Sequence, residues 1–299
     1  MTTSREQTRL LPVADVELCV QEFGEPTDPL VLLMSGAAAS MDWWDVELCE
    51  AIAAGGRRVV RFDHRDTGRS TTGTPGSPSY DGGVLDRDGV GLIEALDSGP
   101  AHLVGVSMGG GIAQSVALHR PDLIRSLTLI AITAVGGVDH GTLPGPVPAL
   151  AERFENPPPD PDWSDRSGVV EWMLDGERAF AGTLPNDEDR TRAIAGAIFD
   201  RSIDVAAAGN HWLVLGGDDD EDLDARQITA PTLVVHGTAD PLFPLPHGEA
   251  LAAAIPGARL IVVDGMGHQV PPRSTWEQFV PALVEHTGAR GQRRSGGSV

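Results

Sequence analysis

Positive charge is scarce in this chain of 299 residues: 22 Lys and Arg stand against 43 Asp and Glu, a formal net charge of -21. A nucleic-acid or anionic-membrane surface needs a face on which basic residues outnumber acids, so neither partner is expected, and a polyanionic substrate is disfavoured. Cysteine is scarcer still. Cys19 and Cys49 cannot make a disulfide framework, and their flanks, VELCVQ and VELCEA, read as apolar faces of a strand and a helix. Two buried free thiols in a reducing compartment are the expectation. Long apolar runs are missing as well. The stretch MTTSREQTRLLPVADVE lacks the apolar run of about seven residues that a secretory signal requires, and no segment approaches a membrane span. A cytoplasmic protein is expected. No Cys/His cluster has zinc spacing, so the chain calls for no metal and no cofactor. The run Gly216 to Asp224, GGDDDEDLD, reads as a solvated acidic loop rather than a cation site.

What remains, 41% hydrophobic and 22% charged residues, is an ordinary globular composition, long enough for one large α/β domain with an insertion. Val16 to Phe23 alternates as a half-exposed edge strand would, and Leu30 to Met34 is the continuous apolar run of a strand buried on both faces. A glycine-containing loop, Ser35 to Ser40, leads to a helix carrying Trp43, Val46, Leu48 and Ile52. Strands at Arg58 to Phe62 and Ile124 to Ile132 flank a helix from about Leu85 to Asp97. This alternation predicts a parallel sheet with helices on both faces. From Thr133 the rhythm changes. Gly and Pro cluster over residues 134–161, and helical segments follow around Val169 to Phe180, Asp187 to Phe199 and Val205 to Leu215, with no strand. A strand at Pro231 to His236, a helix at Pro246 to Ala254, a strand at Arg259 to Val263 and a helix at Trp276 to Glu285 resume the pattern. The expected organisation is an α/β core of residues 1–133 and 227–287, a helical cap of residues 134–226, and a basic, disordered tail of residues 288–299, with residues 1–8 mobile. An insertion at that place lies over the carboxyl ends of the strands, where open sheets bind ligands.

The chemistry centres on Gly105-Val106-Ser107-Met108-Gly109, a G-x-S-x-G match led by a β-rich run and followed by a small-residue helical run. Such a turn strains the serine backbone and lets strand and helix approach where the flanking residues lack bulk, so Ser107 is the candidate nucleophile. A serine hydroxyl needs a base. His268 follows the strand ending at Val263 and has glycines at positions 265 and 267; Asp240 follows the strand ending at His236. Asp264 is the competing acid, but it shares a loop with His268 and reaches Nδ1 less readily than a residue from another strand end. For the oxyanion, Met108 N–H at a helix start is one donor, and Gly36 or Ala37 in the loop after Met34 offers the second.

The order Ser107, Asp240, His268, all at strand carboxyl ends, resembles the α/β-hydrolase triad, and the likeness covers Val13 to Glu285. More narrowly, LMSGAAASMDWW, RFDHRDTGRSTT, GVSMGG, HGTADPLFPLPHG, IPGARL and GMGH resemble the aclacinomycin methylesterase group, enzymes that remove a methyl ester from a polyketide anthracycline. The resemblance implies an α/β-hydrolase fold, with a mostly parallel eight-stranded sheet and a helical cap after the sixth strand. It also implies Ser107 as nucleophile, His268 as base, Asp240 as orienting acid, and Gly36 and Met108 flanking the oxyanion. Position 35 departs from the wider superfamily, with Ser where His commonly precedes the loop glycine. Asp63, Arg65 and Arg69 of DHRDTGRS read as a structural ion and hydrogen-bond network. The function implied is cofactor-free hydrolysis of a small-molecule carboxylic ester, a methyl ester or lactone included. A carbon–carbon bond hydrolase or a perhydrolase shares the triad, and a non-catalytic binding protein usually loses a member of it. Aromatics are few, with six Trp, seven Phe and one Tyr. Phe154, Trp163, Trp172, Met173, Phe180 and Trp212 of the cap, with Trp43 and Trp44 near the oxyanion loop, are the candidate pocket walls.

Overall fold

Leu30–Met34, LVLLM, is buried at every position, as a strand without a polar face must be. It is β3 of an eight-stranded sheet in the computed structural model, which describes residues 8–215 and 223–288. The other strands are β1 (Thr8–Val13), β2 (Val16–Phe23), β4 (Arg58–Phe62), β5 (Ala101–Val106), β6 (Ile124–Ile130), β7 (Thr232–Gly237) and β8 (Arg259–Val263). Their order across the sheet is β1-β2-β4-β3-β5-β6-β7-β8. β2 pairs antiparallel with both β1 and β4, and the remaining pairings are parallel.

Helices cover both faces because the central strands are apolar on both. Leu32 and Met34 of β3 point into one core with α2 (Gly83–Ala95), α3 (Met108–His119) and α8 (Pro246–Ala254), through Leu92, Ile112 and Leu251. Val31 and Leu33, one residue out of phase, enter the other core with α1 (Val46–Ala53) and α9 (Trp276–Gly288), through Leu48, Ile52, Phe279 and Leu283. Between β6 and β7 the described residues contain no strand; α4 (Pro148–Glu155), α5 (Arg166–Phe180), α6 (Glu188–Arg201) and α7 (Asn210–Val214) form the helical cap, inserted after the sixth strand. Both cysteines are buried and free, and burial pushes the Cys49 thiol up to about 12.

Several expectations need correction. The edge strand on this side of the sheet is β1, not β2, which pairs on both sides. Pro12 sits in β1, and a strand without a full set of N–H donors is tolerated only at an edge. The predicted helix through Trp43 is two pieces, a 3-10 turn over Met41–Trp43 capped by the Ser40 hydroxyl and then α1. Helix α4 was not expected amid the Gly/Pro cluster, yet Pro148 stands at its first turn, where a missing N–H costs nothing. The segment from Val205 breaks at Gly209 into a 3-10 turn and α7. Gly288 closes α9 rather than opening a tail. Residues 1–7, most of the acidic run (216–222) and residues 289–299 lie outside the described residues. No helix among the described residues is long and apolar enough to cross a membrane.

Candidate active site

Strand β5 ends at Val106 and α3 begins at Met108, so the whole reversal falls on Ser107, which adopts φ 51° and ψ -123°. Its neighbours explain why glycine flanks it. A Cβ on Gly105 would meet the Gly109 carbonyl oxygen at 2.2 Å, and one on Gly109 would meet the Met34 oxygen at 2.4 Å. The serine backbone is pinned by its N–H donating to Ile130 O at 3.0 Å. Met108 N–H opens the helix without an intrahelical acceptor, as the first four amides of any helix do.

Asp240 follows β7 and is buried. Its Oδ1 accepts the backbone N–H of Leu242 and Phe243, each at 2.9 Å, which fixes the carboxylate plane. His268 Nδ1 lies 3.0 Å from Asp240 Oδ2 and 3.2 Å from Oδ1. The imidazole stands between the rings of Phe180 and Phe243, at centroid distances of 5.7 and 5.5 Å. Its backbone N–H donates to Phe180 O at 2.9 Å. Gly267 is required there, because a Cβ would meet Gly182 N at 2.2 Å. Asp264 turns away; it is exposed and accepts from the Thr238 hydroxyl at 3.0 Å. His236 approaches Asp240 to 3.6 Å, but burial holds it below the usual histidine range, and its Nε2–H donates to Phe243 O at 2.7 Å. It therefore leaves the carboxylate to His268.

The loop after β3 packs on the elbow, with a hypothetical Cβ of Gly36 3.5 Å from Ser107 Cβ. Ser35 is fully buried, and its hydroxyl donates to Ser40 O at 3.2 Å, closing the loop on itself. Ala38 has φ 57° and donates its N–H to Nδ1 of His211 at 3.0 Å. Gly36 and Ala37 line the same cavity as Ser107. His211 comes from α7 of the cap and donates Nε2–H to Arg65 O at 2.8 Å. Burial holds His211 below its usual range, which keeps Nδ1 an acceptor.

No motif marked His211, and none marked Arg201, which anchors the cap. Arg201 pairs with Asp63 at 2.5 and 3.0 Å and with Asp42 at 2.7 Å. Asn210 adds bonds to Asp66 and Thr74. The DHRDTGRS turn is thus the platform on which the cap docks. Asp63 and Arg65 lie in the expected network with other partners than expected: Asp63 takes Arg201, and Arg65 forms a buried two-bond pair with Asp88 at 2.6 and 2.7 Å. The Arg69 side chain is exposed, and only its backbone N–H reaches Asp63.

An open cavity of about 550 Å³ is lined by Ser107 and His268, by Gly36 and Ala37, and by Trp43, Phe180 and Trp212. The size suits a small organic ligand. The remaining wall candidates lie elsewhere. Trp44 is fully buried in the core beside α1, Trp163 and Trp172 pack edge-to-face on each other at 5.3 Å, and Phe154 is half-exposed beside Phe180. Met173 does not line the cavity either. Polar residues that no motif announced do, among them Glu177 on α5 and the ion pair of Asp45 with Arg190.

A family model described as alpha/beta hydrolase fold matches residues 29–271. A rhodomycin D methylesterase of Streptomyces sp. (strain C5) is 30% identical over 300 residues, covering 94% of this chain and 98% of that protein. One from Streptomyces peucetius is 29% identical with the same coverage. Among solved structures, the 2-hydroxy-6-oxo-6-phenylhexa-2,4-dienoate hydrolase of Rhodococcus sp. strain RHA1 matches with a TM-score of 0.72 at 20% identity, over 95% of this chain and 99% of that one, a likeness of fold alone. The methylesterase relatives agree with the resemblance carried by the motifs. With its sheet order, its helical cap after β6 and a family match over most of its length, the chain belongs to the α/β hydrolase fold family.

Proposed function

We propose that the protein is a serine hydrolase of carboxylic esters, acting through an acyl-enzyme on Ser107. The observation that carries this reading is the Asp240–His268 pair opening into the same cavity as a serine held at positive φ. His268 Nε2 takes the Ser107 proton as Oγ attacks the ester carbonyl, and Asp240 holds Nδ1–H and stabilises the imidazolium. The oxyanion is received by Met108 N–H and by an amide of Gly36 or Ala37, donors already oriented before the charge develops. The alcohol leaves with the proton from His268, and water then frees the acid by the same path. Residues 134–226 act as the cap that sets substrate size, with Trp43, Phe180 and Trp212 as apolar walls over a core of residues 1–133 and 227–287. The relatives named as rhodomycin D methylesterases support a methyl ester of a bulky polyketide-like acid as the substrate, with lactones in the same chemical class.

A fluorophosphonate probe tests the reading. Peptide mapping is expected to find the label on Ser107, and Ser107→Ala is expected to lose both label and esterase activity, the latter by about 10⁴-fold or more. Folded protein that stays unlabelled overturns the proposal. A panel of aryl esters, methyl esters of polycyclic acids and lactones then ranks the substrate classes.

A further inference from the structure

Glu177 is a carboxyl on the cavity wall with no ion pair among the described residues. Its neighbours on α5 are answered: Glu171 by Arg192 and Asp175 by Arg153. Of the three arginines around the cavity, two are held in ion pairs and Arg273 carries none among the described residues. Arg190 is paired with Asp45, Arg178 on the outer face pairs with Glu188 at 2.7 Å, and Arg273 lies over the Trp276 ring at 5.5 Å. Asp187, also on the wall, accepts the backbone N–H of Arg190 and so caps α6. Burial alone pushes the Glu177 carboxyl up to about 7, with no compensating donor beside it. A carboxylate kept in such a place without a partner costs stability, and a cation in the cavity removes that cost.

Position is as informative as charge. Phe180 stands against the His268 ring, and Glu177 lies three residues earlier on α5, on the same side and roughly 5–6 Å away between Cβ atoms. A group meeting Glu177 therefore belongs to the bound molecule rather than to the ester carbonyl, and for a methyl ester it belongs to the acyl part. The net charge of -21 favours a cationic ligand at long range as well.

Resting on the esterase reading of this cavity, we propose that Glu177 recognises a protonated amine on the acyl part of the substrate, so that the preferred esters carry a basic nitrogen near the scissile bond. The test is protection of Ser107 from fluorophosphonate labelling by two unreactive ligands. These are the primary carboxamides of a biphenyl acid carrying dimethylaminomethyl in one case and isobutyl in the other, of matched shape and differing in charge. The amine is expected to protect at a concentration about tenfold or more below that of the isobutyl compound, and the preference is expected to vanish in Glu177→Gln and Glu177→Leu. Equal or absent protection by the two ligands in the unaltered protein overturns the proposal, as does a preference that survives either substitution. Where a variant does not fold, the unaltered protein decides alone. A protein that is not labelled at Ser107 at all refutes the esterase reading first, and the two failures are thereby told apart.

Discussion

Replacing Arg201 by Met probes the junction on which the cap and the α/β core meet. Asp63 is fully buried, and its carboxylate faces the Arg201 guanidinium at 2.5 and 3.0 Å. At an effective dielectric constant near 20, two unit charges about 3 Å apart attract by roughly 5 kcal/mol, which is what offsets the desolvation of the pair. Removing the guanidinium strands the buried carboxylate, a change that costs about 3–5 kcal/mol in such settings. Two donors remain on Asp63, the backbone N–H of Met41 and of Arg69, each at 3.0 Å, so the lower end of that range is expected. For a chain of this size about 3 kcal/mol lowers the melting temperature by roughly 6 °C. Urea unfolding measures the loss directly. A cycle with Asp63→Asn is expected to give a coupling of about 2 kcal/mol, because the second substitution removes the charge that the first left stranded. A loss under about 1 kcal/mol, or two effects that simply add, would refute the reasoning and reduce the pair to a solvated contact.

Three further outcomes follow from named contacts. His211→Phe deprives Ala38 N–H of its acceptor and frees the loop that carries Gly36 and Ala37, so kcat for an aryl ester is expected to fall about tenfold with KM little changed. The loss stays below the 10²–10³-fold of an oxyanion donor lost outright, and a kcat within twofold of the unaltered protein refutes it. Trp212→Ala is expected to shift selectivity between small and bulky esters because its side chain lines the cavity. Trp163→Ala is expected to lower the melting point and leave selectivity alone, since that ring packs on Trp172, and equal selectivity changes in both count against the placement. Acid is expected to destabilise the fold: burial pushes His64 down to about 3 and His102 down to about 4, so below about pH 6.5 the unfolded chain takes up protons that the folded chain refuses. At pH 5 each histidine contributes about 2 kcal/mol of lost stability relative to neutral pH, and His102→Gln is expected to flatten the urea-measured pH slope by one such share.

Much of the site was legible because its constraints are local in sequence. The elbow declares itself within five residues, since the glycines at 105 and 109 answer contacts that any Cβ would violate. Asp240 and His268 each follow an apolar strand run, and a parallel sheet brings the carboxyl ends of its strands to one side regardless of how far apart they lie in the chain. Alternation of strand and helix, the buried run at Leu30–Met34 and the change of rhythm after β6 likewise needed only periodicity. Where the reading slipped, a neighbour outside the window decided: Pro12 is acceptable in β1 because β1 is an edge, and Trp44, alike in sequence to Trp43, turns into the core because the 3-10 turn ends between the two.

The chain by itself therefore marked a candidate nucleophile and its two candidate partners, and determined the fold class and the place of the cap, all of them properties written in short-range pattern. Tertiary structure alone decided which acid faces the imidazole and which aromatics reach the cavity. It brought His211 to Ala38 across 173 residues and Arg201 to Asp63 across 138. Those pairings leave no trace in spacing or composition, because a hydrogen bond or an ion pair is specified by the approach of two surfaces in space, and any of the chain's polar side chains meets the local requirements for making one.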